Sequence, residues 1–352
     1  MRFIIFYRRK SGSLWGLSVF LLLWLFFSFN QISAQPYDAH TAKLVEGAKK
    51  EKTFTLYSST SVDDEMIIIK SFEKKYPFIK VKLYRAQQQK IMSKVMTEYS
   101  MKKVLFDALV SAPSRLFIYK KHGMLAGYDS PERTAYADNV KDKEGYWTSI
   151  YRNTHVICYN TKMVSAADAP KNYEDLLDPK WKGKMGVDKR EHSWFATQLK
   201  IMGEEKGLKY FRQLATQDLQ LRTGHTLLVQ LCIAGEFPIV VNAYGSRVEK
   251  EKLRGAPVEW VGVEPVVFHA NAVCLSRNKQ HANAARLYID FVLSEEGQAI
   301  YQKRQRIPCR EGVYPDPPRL TKGIKLEPFV YDLIAENYAA LEAQWTNILK
   351  GR

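Results

Sequence analysis

The sequence predicts an α/β protein of about two domains, and three observations carry that expectation. The chain has 352 residues, which at ~100–200 residues per domain makes roughly two, with enough core to fold without disulfides. Its 46% hydrophobic and 26% charged residues are those of a globular chain and exclude disorder, collagen and coiled coil. From Thr53 onward, short strand-like runs alternate with amphipathic helical ones, the pattern of an open parallel sheet built by right-handed crossovers.

The elements follow in order. Thr53–Tyr57 (TFTLY) reads as a strand. The helix after it has Val62, Met66, Ile69, Phe72 and Tyr76 on its apolar face, and Pro77 stops it. Ile79, Val81 and Leu83 alternate as a second strand. Ile91, Val95, Met96 and Tyr99 line the next helix, and Val104–Val110 is a nearly continuous apolar run, as suits a strand covered on both faces. A second α/β unit reads as strands at Thr154–Tyr159, 184–188, Pro238–Val241 and Val258–Val261, with helices at Trp194–Met202, Leu208–Leu214 and Thr226–Ala234. Ala270–Leu275 is apolar again. Ala284–Leu293 is helical, Ser294 restarts a helix to Gln302, and Leu326–Leu349 is a terminal helical region rich in aromatics.

In open α/β sheets, ligands bind beyond the carboxyl ends of the strands. Here those ends are Ser58-Ser59-Thr60-Ser61 and Ser111-Ala112-Pro113-Ser114, hydroxyl-bearing and just ahead of helices. Each loop alone would serve as an N-cap. Two on neighbouring strands make a pocket, and hydroxyls with helix N-termini favour an anionic group. Arg85, between a strand end and a helix start, would clamp a phosphate, phosphonate or carboxylate, or else be a solvated arginine.

With 53 Lys+Arg against 37 Asp+Glu, the formal charge is +16. Residues 1–34 read as a secretory signal: Arg8, Arg9 and Lys10, then an apolar run from Leu14 to Phe29, then Ile32-Ser33-Ala34 at a cut before Gln35. An uncleaved anchor is the alternative. Cleavage removes Arg2, Arg8, Arg9 and Lys10 with no acidic residue, leaving +12, and an exported protein is expected. The remaining Lys and Arg are scattered among acidic residues, so nucleic acid is not an expected partner. Cys158, Cys232, Cys274 and Cys309 are too widely spaced for a CxxC redox or zinc site or a knotted scaffold. They read as buried small hydrophobes, or as one unassigned disulfide in an oxidising compartment.

The exported chain, the opening LYSSTS turn and the phrase YNTKMV…APKNYEDLLDPKWKGKMGVD resemble the type 2 periplasmic solute-binding proteins of ABC importers, ferric-iron-type subgroup. The stretches RTGHTLLVQLCIAGEFPIVVNAY and AARLYIDFVLSEEGQAIYQ…IPCREGV match in the same order. The resemblance implies a two-lobed α/β fold of the periplasmic-binding-protein type 2 kind, closing on ligand in a central cleft. Lobe 1 would be residues 35–150 and 273–316, and lobe 2 residues 151–272, joined by crossing hinge strands at Thr154–Tyr159 and Asn271–Leu275. Residues 317–352 form a C-terminal helical region of open allegiance. The implied partners are a small-molecule or ion-complex ligand and a membrane permease, the protein itself being a monomer.

Ferric-binding relatives hold Fe³⁺ with two adjacent tyrosines, since phenolate oxygens suit a hard cation. This chain has Ala243-Tyr244 there, and Arg85 where a cation would be repelled. The ligand expectation is therefore a small anion, bound by Ser58, Ser59, Thr60, Arg85 and Ser111 from one lobe and Thr154, His192, Thr223 and Tyr244 from the other. His192 reads equally as an exposed loop residue, and Thr223-Gly224 as an anion-binding turn or a cap. Ferric binding through Tyr244 is the alternative. No metal site and no cofactor is expected: the sequence lacks HExxH, GxSxG, a P-loop and GxGxxG. A secreted enzyme on the same two-lobed fold is the remoter alternative.

Overall fold

Two long, almost wholly buried strands cross the middle of the protein, and the rest of the architecture hangs on them. The computed structural model describes residues 37–351 except 278 and 279, so the expected secretory segment lies outside the described residues. Residues 41–352 form one compact unit. Its strands are β1 (Thr53–Ser58), β2 (Lys80–Arg85), β3 (Ala108–Ser111), β4 (Leu125–Ala126), β5 (Trp147–Asn160), β6 (Met185–Asp188), β7 (Gln220–Arg222), β8 (Ile239–Tyr244), β9 (Val258–Val261), β10 (Val266–Ser276), β11 (Ile307–Pro308) and β12 (Leu326–Pro328). The helices are α1 (Ala39–Glu51), α2 (Val62–Lys75), α3 (Gln88–Ser100), α4 (Pro113–Lys121), α5 (His192–Met202), α6 (Glu204–Ala215), α7 (His225–Ala234), α8 (Gly245–Leu253), α9 (Ala282–Leu293), α10 (Glu295–Lys303), α11 (Tyr331–Glu336) and α12 (Tyr338–Leu349).

The strand order is β2-β1-β3-β10-β5-β8-β6-β7. On one side β1 lies parallel between β2 and β3, as the alternating sequence predicts. On the other, β6 lies parallel between β7 and β8. The strands β5 and β10 run antiparallel from Phe268↔Thr154 to Cys274↔Trp147 and join the two halves. This is the two-lobed fold.

Each half has its own core. Phe54, Leu56, Phe72, Tyr288 and Phe291 pack together in the first lobe. In the second, Trp194, Phe195 and Phe211 pack with Trp345 and Ile348 from the C-terminal helices. The C-terminal region is thus built into the second lobe's core. It is not helical throughout: residues 326–328 pair with β10, and helix begins only after Pro328. The expected strand at 104–110 is likewise shorter, with regular pairing only from Ala108. Ahead of it, the Asp107 carboxylate turns to accept the Thr55 N–H at 2.8 Å. All four cysteines are buried and free, as small apolar side chains would be.

Candidate binding cleft

Between the halves lies a cleft of about 600 Å³. Residues at the first turns of α2, α3, α4, α5, α7 and α8 line it. These helix N-termini converge on one space, and unpaired backbone N–H groups with the helix dipole favour negative charge there. Side-chain charge agrees. Arg85, Arg115, Arg190, Arg247, Lys250, Arg304 and Arg306 face five carboxylates: Asp63, Asp64, Asp188, Glu191 and Glu342.

Most of these cations are already neutralised. Asp64, buried on α2, takes Arg304 at 2.7 Å, Arg306 at 2.8 Å and Lys250 at 3.6 Å. Burial alone would raise the Asp64 carboxyl, but Arg306, Arg304 and Lys250 hold it well below the usual carboxylate range. Arg306 also donates to Asn153 Oδ1 at 2.9 Å and stands over the Tyr151 ring. The Tyr151 phenol is in turn bonded by Asn271. One acid therefore anchors an arginine to both crossing strands. Arg247 pairs with Glu251 at 2.8 Å, and Arg190 reaches Asp188 at 3.7 Å.

Arg85 and Arg115 differ: among the described residues, neither has a carboxylate within ion-pairing distance. Arg85 is exposed at the end of β2, its Nε donating to the Thr60 carbonyl at 2.8 Å. Arg115 is only 9% exposed. Its Nη1 donates to Gln88 Oε1 at 2.6 Å and its Nη2 to the Tyr338 phenol at 3.0 Å. Its buried Nε finds no partner among the described residues. Withdrawing a guanidinium from water without a counter-charge is costly, so Arg115 marks where an anion would relieve the structure.

The residues expected from sequence divide into two groups. Ser59, Arg85, His192, Thr223 and Tyr244 line the cleft. Ser58, Thr60, Ser111 and Thr154 are buried beneath it. The Ser58 hydroxyl donates to Glu65, Thr60 Oγ1 accepts from Tyr151 at 3.3 Å, and Ser111 is fully covered. Thr154 packs under Gly245, where an added Cβ would stand 2.6 Å from its Oγ1. His192 is not an exposed loop residue. It is 3% exposed, opens α5, and neither ring nitrogen has a hydrogen-bond partner among the described residues. The Thr223-Gly224 turn, with φ +105° at Gly224, already gives its N–H to Asp188 Oδ2 at 2.7 Å. An internal carboxylate thus fills the anion-binding turn.

Sequence reading missed Arg115, Asp64, Arg306 and a group on the second lobe made of Asp188, Glu191 and His225. One ligand atom from each of these last three lies within 4.8 Å of the others. His225 Nε2 is 2.7 Å from Glu191 Oε1, and its ring stacks on Tyr244 at 3.5 Å. Burial alone would lower His225, but the Glu191 charge and hydrogen bond raise it. Burial also pushes the Tyr244 phenol up, and the Glu191 and Asp188 charges add to the rise, so it is a neutral hydroxyl. Ala243, fully buried in β8, gives Tyr244 no phenol at the preceding chain position.

The histidines set a pH dependence. Burial lowers His155, brings His269 to about 4, and, helped by Arg115, brings His192 to about 4. An unfolded histidine titrates near ~6.5, so the unfolded chain binds these protons first. Their contribution to stability is present above that value and is lost as pH falls toward 4. His225, being raised, opposes them: its contribution is present below ~6.5 and lost as pH rises through its folded value. With three groups against one, the melting temperature will fall between pH 7 and 5, and His192→Gln will flatten the fall. A melting temperature that rises on acidification would contradict this.

A profile of the bacterial extracellular solute-binding protein family matches residues 106–337. The chain belongs to that family. It is 24% identical over 291 residues to iron uptake protein A1 of Synechocystis, covering 77% of this chain and 80% of that protein. An uncharacterised Haemophilus influenzae protein is 25% identical over 178 residues, and the chain spans about half of it, 51%. Among solved structures, iron-bound HitA from Pseudomonas aeruginosa is similar at TM-score 0.74 and 22% identity, covering 83% of this chain and 99% of that one. AfuA from Actinobacillus pleuropneumoniae, with fructose-6-phosphate bound, is similar at 0.75 and 21%, covering 85% and 99%. At these identities the structures establish the shared fold. The chain is a solute-binding protein.

Proposed function

We propose that this protein is the periplasmic solute-binding component of an ABC importer and that it captures a small anion, through a phosphate, phosphonate or carboxylate group or as an iron–anion complex, for delivery to a membrane permease. Arg115 carries this reading: it is a buried guanidinium in the cleft, near the N-terminus of α4, with no carboxylate partner among the described residues. Arg85 and Ser59 would add contacts from the first lobe, and His192, Thr223 and Tyr244 from the second. Solute touching both lobes would favour the closed arrangement by differential binding. The fructose-6-phosphate-bound relative supports an anionic group on such a fold. A thermal-shift screen over phosphate esters, phosphonates and carboxylates, each with and without Fe³⁺, tests it. A true ligand at 100 times its Kd adds about 2.7 kcal/mol of stability by mass action. Stabilisation by neutral or cationic solutes alone would overturn the anion assignment.

The second reading, bare ferric ion, draws on the Asp188–Glu191–His225 group beside Tyr244, on the similarity to iron uptake protein A1 and on the fold shared with iron-bound HitA. It predicts a visible phenolate-to-iron band that Tyr244→Phe abolishes. A colourless protein after iron loading would remove it.

A further inference from the structure

The C-terminal helices do more than complete the second lobe's core. Trp345 and Ile348 of α12 are buried against Trp194, Phe195 and Phe211, so this end is fixed to the second lobe. Yet α11 packs on α4 of the first lobe, and Tyr338, the first residue of α12, reaches into the cleft. Its phenol accepts from Arg115 Nη2 at 3.0 Å and donates to Gln89 Oε1 at 2.9 Å. Its ring meets His192 edge-on at 4.6 Å. The helix pair therefore straps one lobe to the other, and its end rests on the arginine with no counter-charge.

The position on the guanidinium matters. An arginine grips a carboxylate or phosphate bidentately with two parallel N–H groups, and the side-on pair is Nε and Nη2. In Arg115 the Nε is unpartnered and buried, while Nη2 is held by Tyr338. A neutral hydroxyl thus covers half of the edge that an anion would use. Burial raises the phenol despite the nearby Arg115, so it remains a neutral and weak stand-in for an anionic oxygen.

We propose that Tyr338 is a placeholder on Arg115: it orients the guanidinium when no solute is bound, ties the lobes through the C-terminal strap, and must be displaced by the solute's anionic group, which makes it a determinant of affinity and selectivity. The proposal rests on the anion reading of the cleft. Weak or singly contacting anions fail to displace the phenol, and anions able to take both Nε and Nη2 succeed.

The test compares wild type with Tyr338→Phe, which keeps the ring and its packing, and with Gln89→Ala, which loosens the same phenol from the first lobe. Inorganic phosphate is titrated by calorimetry, and hydrogen exchange is followed without added anion. Losing the hydroxyl–arginine bond, about 1 kcal/mol net, should tighten phosphate about fivefold in Tyr338→Phe. Exchange should quicken at the start of α3 and in α11 in both variants. Weaker phosphate binding in Tyr338→Phe would make Tyr338 a solute contact and overturn the placeholder role, as would unchanged affinity. If no protein binds phosphate, a phosphate ester, a phosphonate or a carboxylate, with or without Fe³⁺, the anion reading fails. Hydrogen exchange then judges the strap alone: unchanged exchange in both variants overturns the tie, and faster exchange upholds it.

Discussion

Asp64→Asn will destabilise the folded protein by about 3–5 kcal/mol, the usual cost of removing one partner from a buried ion pair, measured by denaturant unfolding. Asp64 is buried with Arg304, Arg306 and Lys250 around it, and no other described carboxylate pairs with these three cations. An asparagine would leave three positive charges converging on a neutral amide. The damage would reach the crossing strands, because Arg306 is the link to Asn153 on β5 and stacks over Tyr151. The neighbouring Asp63 is exposed, and Asp63→Asn should stay within about 0.5 kcal/mol of wild type. Equal effects of the two substitutions would refute the anchoring role. Acid would mimic the larger one. Asp64 titrates below its unfolded value, so its contribution is present above ~4 and is lost as pH falls through the folded value.

Arg115→Met will weaken binding of an anionic solute by about 1.5–3 kcal/mol, some 10- to 150-fold, the range for a hydrogen bond to a charged group. Stability without ligand should not fall, because a buried charge lacking a counter-ion is replaced by an apolar chain of similar length. Calorimetry and unfolding together read both effects. Loss of stability with unchanged affinity would make Arg115 a structural residue. The same substitution at Arg85, which is exposed and screened by solvent, should have a smaller effect.

Much of the fold was legible because local chemistry and global architecture agree. The helices α2 and α3 form where the helical period places them, but only part of each expected face is buried: Ile69, Phe72, Ile91 and Val95 are in the core, whereas Val62, Met66 and Tyr99 are exposed and Ile68 is buried instead. Ser294 caps α10 by accepting the Gly297 N–H, as its place before Glu295-Glu296 suggests. The β5 and β10 crossing was legible only through the resemblance, since an apolar run does not reveal its partner. The site was less legible. The serine loops after β1 and β3 border the cleft, but which serines face it depends on packing: Ser59 lines the cleft, whereas Ser58 faces Glu65 and Ser111 is buried.

Arg115 follows its strand end by four residues, and an arginine in a helix's first turn looks solvated until its neighbours are known. The available signal was the shared switch point: Arg115 is a cation just after the third strand end, beside the serines, as Arg85 is at the second. Asp188, Glu191 and His225 come from two separate segments, and Tyr338 from the far end of the chain. Only tertiary structure brings these together.

The most direct test is a crystal structure of the protein with its captured solute. The account predicts anionic oxygens within hydrogen-bonding distance of Arg115 Nε and Nη2, the Tyr338 phenol moved aside, and contacts from both lobes. A bare metal ion bonded to Tyr244, with Arg115 still held by Tyr338, would contradict it.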